Sequence, residues 1–357
     1  MHPYKKSSSC HASPITRFYP ALVDYHIGKR RRRQGKYDKT TLGFLRRAWQ
    51  KRPSLKHLLG YLAFRRDLGY LPSPPLLRAL AEHLHKLPRR YEHRVVNLLC
   101  ECGMESSVQQ SLTPETLLNL AERSPPAAEL ARKKGQETGN TTGVLAKLQA
   151  SQDETRQCFA DFLNRNRGSV CIVGNAAGLS GAGLGEKIDA HEVVVRFNHY
   201  CSGTSRPEDT GRRIDIWVRA PNLGTVGLVE NPSADWIVLS GPDIRYQLAN
   251  WEPLRPYMEA DRQILTVPLD IWRTLVKELH APPSAGILLL AWAIRLMGGP
   301  GGISATGFQS AVNPASDWQA YHQALPQQRP GHRHNWSGEK ELLNRWHSAG
   351  LILLDAS

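Results

Sequence analysis

Near its carboxyl end, the chain carries a histidine and a glutamate whose types and spacing suit acid–base chemistry. His334 stands five residues before Glu339 in "HNWSGE". Imidazole removes protons well near neutral pH, and the positive end of a helix predicted to start near Ser337 would keep it neutral. His332 lacks a carboxylate at this spacing. Glu339 either orients the ring or is only a helix-start carboxylate; taken alone, His334 is better interpreted as a surface residue of the His-rich "GHRHNW" loop.

Two further groups suit the handling of a phosphate. Tyr321 and His322, in "AYHQ", could donate hydrogen bonds to a departing phosphate, although an amphipathic helix face would look the same. Ser284 follows two prolines and is predicted to cap a helix, whose first amides, at Ala285 and Gly286, could bind an anion. An ordinary capped core helix has the same pattern, and both interpretations can hold together.

The stretch "CIVGNAAGLSGAGLGEKIDAHEVVVRFNHY" is rich in glycine and flanked by apolar runs. A dinucleotide site needs G-x-G-x-x-G directly after a strand and at a helix start, but only Gly174 follows the strand closely. This spacing disfavours a nicotinamide-dependent enzyme. Asn175 and Asn198 end neighbouring predicted strands and could bind phosphate, ribose or base, or serve only the turns. Arg196, in an apolar strand, is predicted to pair with Asp189 for structural reasons.

Seven apolar runs alternate with helical patterns in the second half of the chain. This alternation predicts an α/β fold with a largely parallel sheet and a ligand at the carboxyl ends of its strands. The runs are "SVCIVGN", "EVVVRFN", "IDIWVRA", "DWIVLSG", "QILTVP", "GISATGF" and "GLILLD".

The first half has a different character. Its residues 1–40 are polar and basic and predict an arm, residues 41–124 carry leucines at helical spacing, and residues 125–143 have the composition of a linker. The catalytic domain is expected over residues 144–357, and the role of residues 41–150 is left open.

The net charge of +14 lies entirely in the first half, where residues 1–150 hold 27 lysines and arginines against 11 acidic residues. Such a basic face suits an anionic membrane surface, nucleic acid or a polyanionic glycolipid, and equally a merely solvated surface. A nucleic-acid-binding protein with a degenerate nucleotide-binding domain is the alternative function. It is disfavoured because Trp49 is the only tryptophan in this half and no nucleic-acid motif is present.

The sequence predicts a cytoplasmic protein. Its first 28 residues lack the apolar core and cleavage site of a secretory signal, and its longest apolar run, Ile287 to Ile294, is too short to span a bilayer. Six cysteines without metal-site spacing are expected to be reduced. No D-x-D pair is present, so a divalent ion has no obvious ligands and neither metal nor cofactor is expected.

Four motifs in order resemble glycosyltransferase family 29, the eukaryotic-type sialyltransferases. The long sialylmotif corresponds to V-G-N at Val173–Asn175, the Gly-rich loop, "IDAH", "RFN" and "DTGRR"; the short motif to "PPSAGILLLAWAI" and "ATGF"; and the last two to "AYHQ" and the H-x-x-x-x-E from His334 to Glu339. The resemblance covers about half of the chain.

The resemblance implies a GT-A-like, Rossmann-type sheet flanked by helices (the sialyltransferase variant), preceded here by a basic helical region. It also implies metal-independent, inverting transfer of a sugar acid from a CMP donor to a hydroxyl of a glycan or glycolipid acceptor. His334 would be the base, Tyr321, His322 and Glu339 its catalytic neighbours, and residues 174, 175, 198 and 284–286 the nucleotide and donor site. The donor sugar, sialic acid or 3-deoxy-octulosonic acid, is left open.

Two departures from the family indicate a bacterial or cytosolic relative. The family's disulfide would join Cys171 to a cysteine in the short motif, where this chain reads Arg295-Leu296-Met297. The family's amino-terminal membrane anchor is also missing. The expected role is synthesis of lipopolysaccharide or another surface polysaccharide, with the basic half in peripheral contact with the cytoplasmic face of the inner membrane.

Overall fold

The computed structural model of the protein describes residues 14–136, 139–198, 200, 206–220, 234–240, 251, 254–308 and 333–354. The first part is helical, as its leucine spacing predicts. Its helices are α1 (Pro14–Arg33), α2 (Lys39–Lys51), α3 (Leu55–Asp67), α4 (Pro74–Ala81), α5 (Arg89–Glu101), α6 (Glu105–Ser111), α7 (Pro114–Ala121), α8 (Pro125–Lys133) and α9 (Asn140–Ala150).

The predicted basic arm is in large part a packed helix. In α1, Ala21 and Tyr25 are buried, and Asp24 is buried beside Lys51 of α2, with 2.8 Å between Oδ2 and Nζ. Two of the arginines that end α1 are also held, because Arg31 binds Asp38 and Arg32 binds Asp67. The run of charge therefore concealed a helix that packs a short side, with Ala21 and Tyr25, into the core.

The predicted linker is also corrected over its first part, because α8 is largely buried. Ser124 caps this helix by accepting a hydrogen bond from the amide of Ala127, and Pro125 and Pro126 occupy the first turn, where proline lacks only an N–H that the helix does not use. The proline pair at the start of the predicted linker thus begins a helix.

The seven predicted strands are all present and form one parallel sheet, which confirms the α/β interpretation. Its order is β5-β4-β3-β2-β1-β6-β7. The strands are β1 (Val170–Val173), β2 (Val193–Phe197), β3 (Ile216–Arg219), β4 (Trp236–Leu239), β5 (Gln263–Thr266), β6 (Ile303–Thr306) and β7 (Ile352–Leu353). Strands β1 to β4 and β6 are buried along their whole length, as expected of a parallel sheet covered on both faces.

The remaining helices connect these strands. They are α10 (Gln152–Arg165), α11 (Gly185–Asp189), α12 (Pro207–Thr210), α13 (Arg255–Glu259), α14 (Leu269–Leu279), α15 (Ala285–Leu296) and α16 (Trp336–Ser348). Helices α10, α14, α15 and α16 share one hydrophobic core with one face of the sheet. Within the described ranges, no helix is long and apolar enough to cross a membrane.

The opposite face of the sheet is covered by the first part of the chain. Trp217 of β3, Ile237 of β4 and Ile264 of β5 belong to the same core as the leucines of the amino-terminal helices. Over β1 and β2 the cover is instead the Gly-rich stretch and α11. The hydrophobic core therefore continues from the helical region into the sheet, and the two parts of the chain pack together as layers.

Candidate active site

The strand order creates a crevice between β1 and β6. From β1 the chain proceeds through β2 to β5 on one side, and it then crosses to β6 on the other side. Segments that leave the carboxyl ends of β1 and β6 therefore diverge, and open α/β sheets bind ligands at such a point.

Two glycines close the floor of this crevice. The amide of Gly174 donates to the carbonyl of Thr306 at 2.8 Å, and that of Ala176 donates to the carbonyl of Gly307 at 3.0 Å. A Cβ atom at Gly174 would lie 2.3 Å from the Gly307 carbonyl oxygen, and Gly307 has a φ of +73°. Gly174 was predicted to bind a ligand. In the structure, its lack of a side chain allows its backbone to lie close to that of Gly307.

The Gly-rich stretch after β1 binds one of the protein's own carboxylates. Asp209 of α12 is buried and accepts hydrogen bonds from the amides of Gly181 at 2.9 Å and Gly183 at 3.1 Å. Gly185 approaches the backbone of Pro207 so closely that no side chain would fit. These two amides are therefore occupied by a carboxylate of the protein, which gives this part of the stretch a structural role.

The predicted pairing of Arg196 with Asp189 is present. The Arg196 Nη2 atom lies 3.9 Å from Asp189 Oδ1 and also donates to the carbonyl of Thr210. Asp189 in addition accepts the amides of Arg212 and Arg213, which fixes "DTGRR" against β2.

Helix α15 presents its amino terminus to the same edge of the sheet. A Cβ atom at Gly286 would lie 2.6 Å from Cε1 of Phe308, which follows β6. Ser284 caps the helix as predicted, with its Oγ accepting from the amide of Ile287 at 3.4 Å. The amides of Ala285 and Gly286 form no hydrogen bond with any described residue. Two free N–H groups at the positive end of a twelve-residue helix are suited to bind an anion.

Glu339, in the first turn of α16, holds this helix end in place. Its Oε1 accepts the amide of Ser284 and its Oε2 accepts the Ser284 hydroxyl, both at 2.7 Å. The side chain is buried, and burial raises the pKa of Glu339 to about 7, although the two bonds from Ser284 favour the charged form. Glu339 does not bond to His334, so the hypothesis that it orients the ring is wrong in this geometry.

His334 is held instead by a backbone oxygen. Its Nδ1 lies 2.9 Å from the carbonyl oxygen of Pro282, and since a carbonyl only accepts, Nδ1 carries the proton. The neutral ring then has its lone pair on Nε2. Burial lowers the pKa of His334; the hydrogen bond to the Pro282 carbonyl opposes this shift, and the positive charge of Arg333 adds to it. The geometry thus favours a neutral imidazole whose basic nitrogen is Nε2.

The two predicted asparagines lie at the carboxyl ends of their strands and partly serve the sheet. Asn198, with a φ of +51°, accepts the amide of Ala220 on Oδ1, and its carbonyl accepts from the Trp217 indole. Asn175 donates to the carbonyl of Phe197 at 3.1 Å. Its Oδ1 has no partner among the described residues, so Asn175 is the better placed of the two to bind a ligand.

The remaining predicted site residues, Tyr321 and His322, lie outside the described residues, as does His332. Within the ranges that the structure describes, no cluster of three acidic, histidine or cysteine side chains could hold a metal ion. Cys171 is a free, buried thiol whose pKa burial raises to about 12.

Two further residues at this edge were not predicted from the sequence. Arg219, the last residue of β3, is buried over Trp217, and burial lowers its pKa. An arginine at the end of an apolar run was the available signal. Phe308 packs against Gly286 at the crevice, and only its position after a predicted strand pointed to it.

A comparison with known protein families finds a match over part of the chain. Residues 110–231, about a third of the chain, match the model of "Glycosyltransferase family 29 (sialyltransferase)". This part of the chain is therefore similar to the glycosyltransferases of family 29, which confirms the resemblance carried by the motifs. The matched range includes β1 to β3 and the Gly-rich stretch, and it ends before Ser284 and His334.

Other comparisons add little. Two crystal structures of a mammalian sialyltransferase, one in complex with Gal-beta-1-3GalNAc-ortho-nitrophenol, share 16% identity with the chain at TM-scores of 0.38 and 0.39. In both cases the likeness covers 53% of this chain and 69% of the other. At these TM-scores the likenesses support no inference about activity. No curated protein matches the chain.

Proposed function

We propose that the protein transfers a sugar acid from a CMP donor to a hydroxyl of a glycan, with inversion at the anomeric carbon and without a metal ion. The observation that carries this proposal is His334, whose Nδ1–H is bound to the Pro282 carbonyl and whose neutral form is favoured by burial. It lies in one hydrogen-bonded corner with Ser284, since Glu339 joins α16 to the start of α15. The similarity of residues 110–231 to family 29 supports the reaction class.

In this mechanism, Nε2 of His334 removes the proton of the acceptor hydroxyl. The hydroxyl oxygen forms a bond to the anomeric carbon as the bond from that carbon to the phosphate oxygen breaks, and CMP leaves with the bonding electrons. The amides of Ala285 and Gly286 would bind the donor's carboxylate or phosphate, because a helix amino terminus stabilises negative charge. Tyr321 and His322 are proposed, from the motif alone, to hydrogen-bond the departing phosphate.

Calorimetric titration with CMP, CDP, UDP and NADH, in EDTA and without metal, tests the nucleotide class. We expect CMP to bind and NADH not to bind. Transfer assays with CMP-sialic acid and CMP-3-deoxy-octulosonic acid then choose the donor, with lipopolysaccharide and capsular glycans as acceptors. Binding of another nucleotide in place of CMP, or turnover that EDTA abolishes, would contradict the proposal.

We also propose that α1 contacts an anionic membrane. On its exposed side lie Val23, 48% exposed, and Ile27, 36% exposed, together with the exposed Arg30 and Arg33. Apolar and cationic side chains on one helix face suit the interface of an anionic bilayer.

Point variants test the membrane contact better than truncation, because α1 belongs to the core. Flotation with phosphatidylserine vesicles should recover the wild type and much less of V23E/I27E or R30E/R33E. The matched control K36E, on an exposed lysine after the helix, should float nearly as well as the wild type. Equal flotation of all four proteins would refute the contact.

A further inference from the structure

We propose that Asp67, in the amino-terminal helices, is a positioning residue for His334 and acts through Arg333. This inference rests on the proposed role of His334 as the base. It gives the helical region, whose role the sequence leaves open, a part in the chemistry.

Asp67 is the last residue of α3, and its side chain is only 3% exposed. One of its oxygens, Oδ1, accepts a hydrogen bond from Nη2 of Arg333 at 3.2 Å. The other, Oδ2, forms an ion pair with Nη2 of Arg32 at 2.5 Å. A buried carboxylate needs such partners, because charge without a partner is costly away from water.

The two arginines come from opposite ends of the chain and are both partly exposed. The buried Asp67 carboxylate is therefore fixed in place, and it holds both guanidinium groups. The Arg333 guanidinium also lies 5.8 Å from the centre of the Trp272 ring, within cation–π range. Trp272 belongs to α14, so Arg333 is fixed by both layers of the protein.

Arg333 directly precedes His334, and the next residue, Asn335, is fixed as well. Asn335 donates to the carbonyl of Leu279 at 2.9 Å and caps α16 through the amide of Gly338. The histidine thus lies between two anchored neighbours, while among the described residues its ring has one hydrogen-bond partner, the Pro282 carbonyl. Loss of the Arg333 anchor would leave the backbone before the ring free to shift, and misplacement of a reacting group by about 1 Å can cost roughly 100-fold in rate.

The chain offers a matched control. Arg32 pairs with the same carboxylate but is attached to α1, away from His334 in sequence. D67N and R333Q remove the anchor, whereas R32Q removes an ion pair of the same carboxylate and leaves Arg333 bound. We expect R333Q and D67N to lower kcat by about 10- to 100-fold with the CMP dissociation constant unchanged. The R32Q variant should keep kcat within about twofold while unfolding more easily.

A double-mutant cycle separates positioning from general destabilisation. If Asp67 acts through Arg333, D67N/R333Q will have the same kcat as either single variant, and R333K will recover part of it. R333Q keeps the test readable if D67N fails to fold, because the arginine is partly exposed. Unchanged kcat in R333Q, or an equal loss in R32Q, would overturn the proposal. H334A decides the proposed function separately: full turnover in H334A refutes the base itself, whereas loss in H334A with normal R333Q refutes only the positioning.

Discussion

Two regions at the carboxyl edge of the sheet have backbone amides of the kind that bind anions. They differ in what those amides bind. The Gly-rich stretch after β1 has the sequence that more strongly predicts an anion site, but its amides at Gly181 and Gly183 bind Asp209. The start of α15 has one glycine, yet the amides of Ala285 and Gly286 have no partner among the described residues. A ligand site is defined by donors left unsatisfied, and the number of glycines does not reveal them.

The largest expected effect is a difference in catalytic activity between variants of the histidines in the two regions. Both ring nitrogens of His191, in the motif after β1, form hydrogen bonds, with Lys187 and Ser304. Among the described residues, His334 has a partner only on Nδ1. H334A should lower kcat/KM by about 10²- to 10⁴-fold and leave CMP affinity unchanged, whereas H191A should mainly lower stability. Steady-state kinetics and calorimetry measure these quantities.

The two histidines, His334 and His191, also predict how kcat/KM depends on pH. Because burial lowers the pKa of His334, the wild-type kcat/KM should fall only when the pH drops below the ordinary histidine value of about 6.5. H334A should lack this acid limb. Loss of turnover in H191A with unchanged stability would instead place the chemistry beside the Gly-rich stretch.

The second effect concerns the carboxylate that holds α15. Burial raises the pKa of Glu339 to about 7, so the folded protein binds a proton there that the unfolded chain releases near its lower, ordinary pKa. The stabilisation is therefore complete at low pH and is lost as the pH rises to about 7. E339Q can keep both bonds to Ser284 without titrating.

Denaturant unfolding at pH 5 and pH 8 measures this difference. Between these values, the wild-type unfolding free energy should fall by about 2 kcal/mol more than that of E339Q. Parallel pH dependence of the two proteins would show that Glu339 does not titrate in this range.

The third effect concerns the carboxylate that holds the Gly-rich stretch. In D209N the side chain has one acceptor oxygen in place of two, so it can keep only part of the hydrogen bonds from the stretch. The unfolding free energy should therefore drop by about 1–2 kcal/mol. CMP affinity should change by less than about twofold, because the stretch is structural. A tenfold loss of CMP affinity in a well-folded D209N would show that this stretch binds the donor after all.

The smallest effect compares one glycine from each region. An alanine at Gly286 would meet the Phe308 ring and push it towards the crevice, so CMP binding should weaken by about tenfold, or 1.4 kcal/mol. An alanine at Gly183 has open space but a φ of +61°, so it should cost about 1 kcal/mol of stability and leave CMP affinity unchanged. The reverse pattern would exchange the roles of the two regions.

Much of the fold was predictable because its signals are local. Each strand of a sheet covered on both faces is an apolar run, so all seven were found, and Ser284 was correctly identified as a cap. The basic arm and the linker were misassigned for the opposite reason. In α1 charge outweighed a short apolar side, and at α8 the polar, Gly-rich composition of residues 133–143 led to a linker assignment that also covered the helix before them.

The sequence by itself thus determined the strands, the capped helix and, through the order of its motifs, the resemblance to family 29. Only the tertiary structure decided which polar group binds which. Asp209 accepts hydrogen bonds from amides of the Gly-rich stretch, and Glu339 accepts them from Ser284 and not from the histidine ring. Asp67 binds Arg333, which lies 266 residues away in the sequence. Periodicity reports which side of an element is buried, but a hydrogen-bond partner depends on strand order and on how the layers pack, which no local pattern contains.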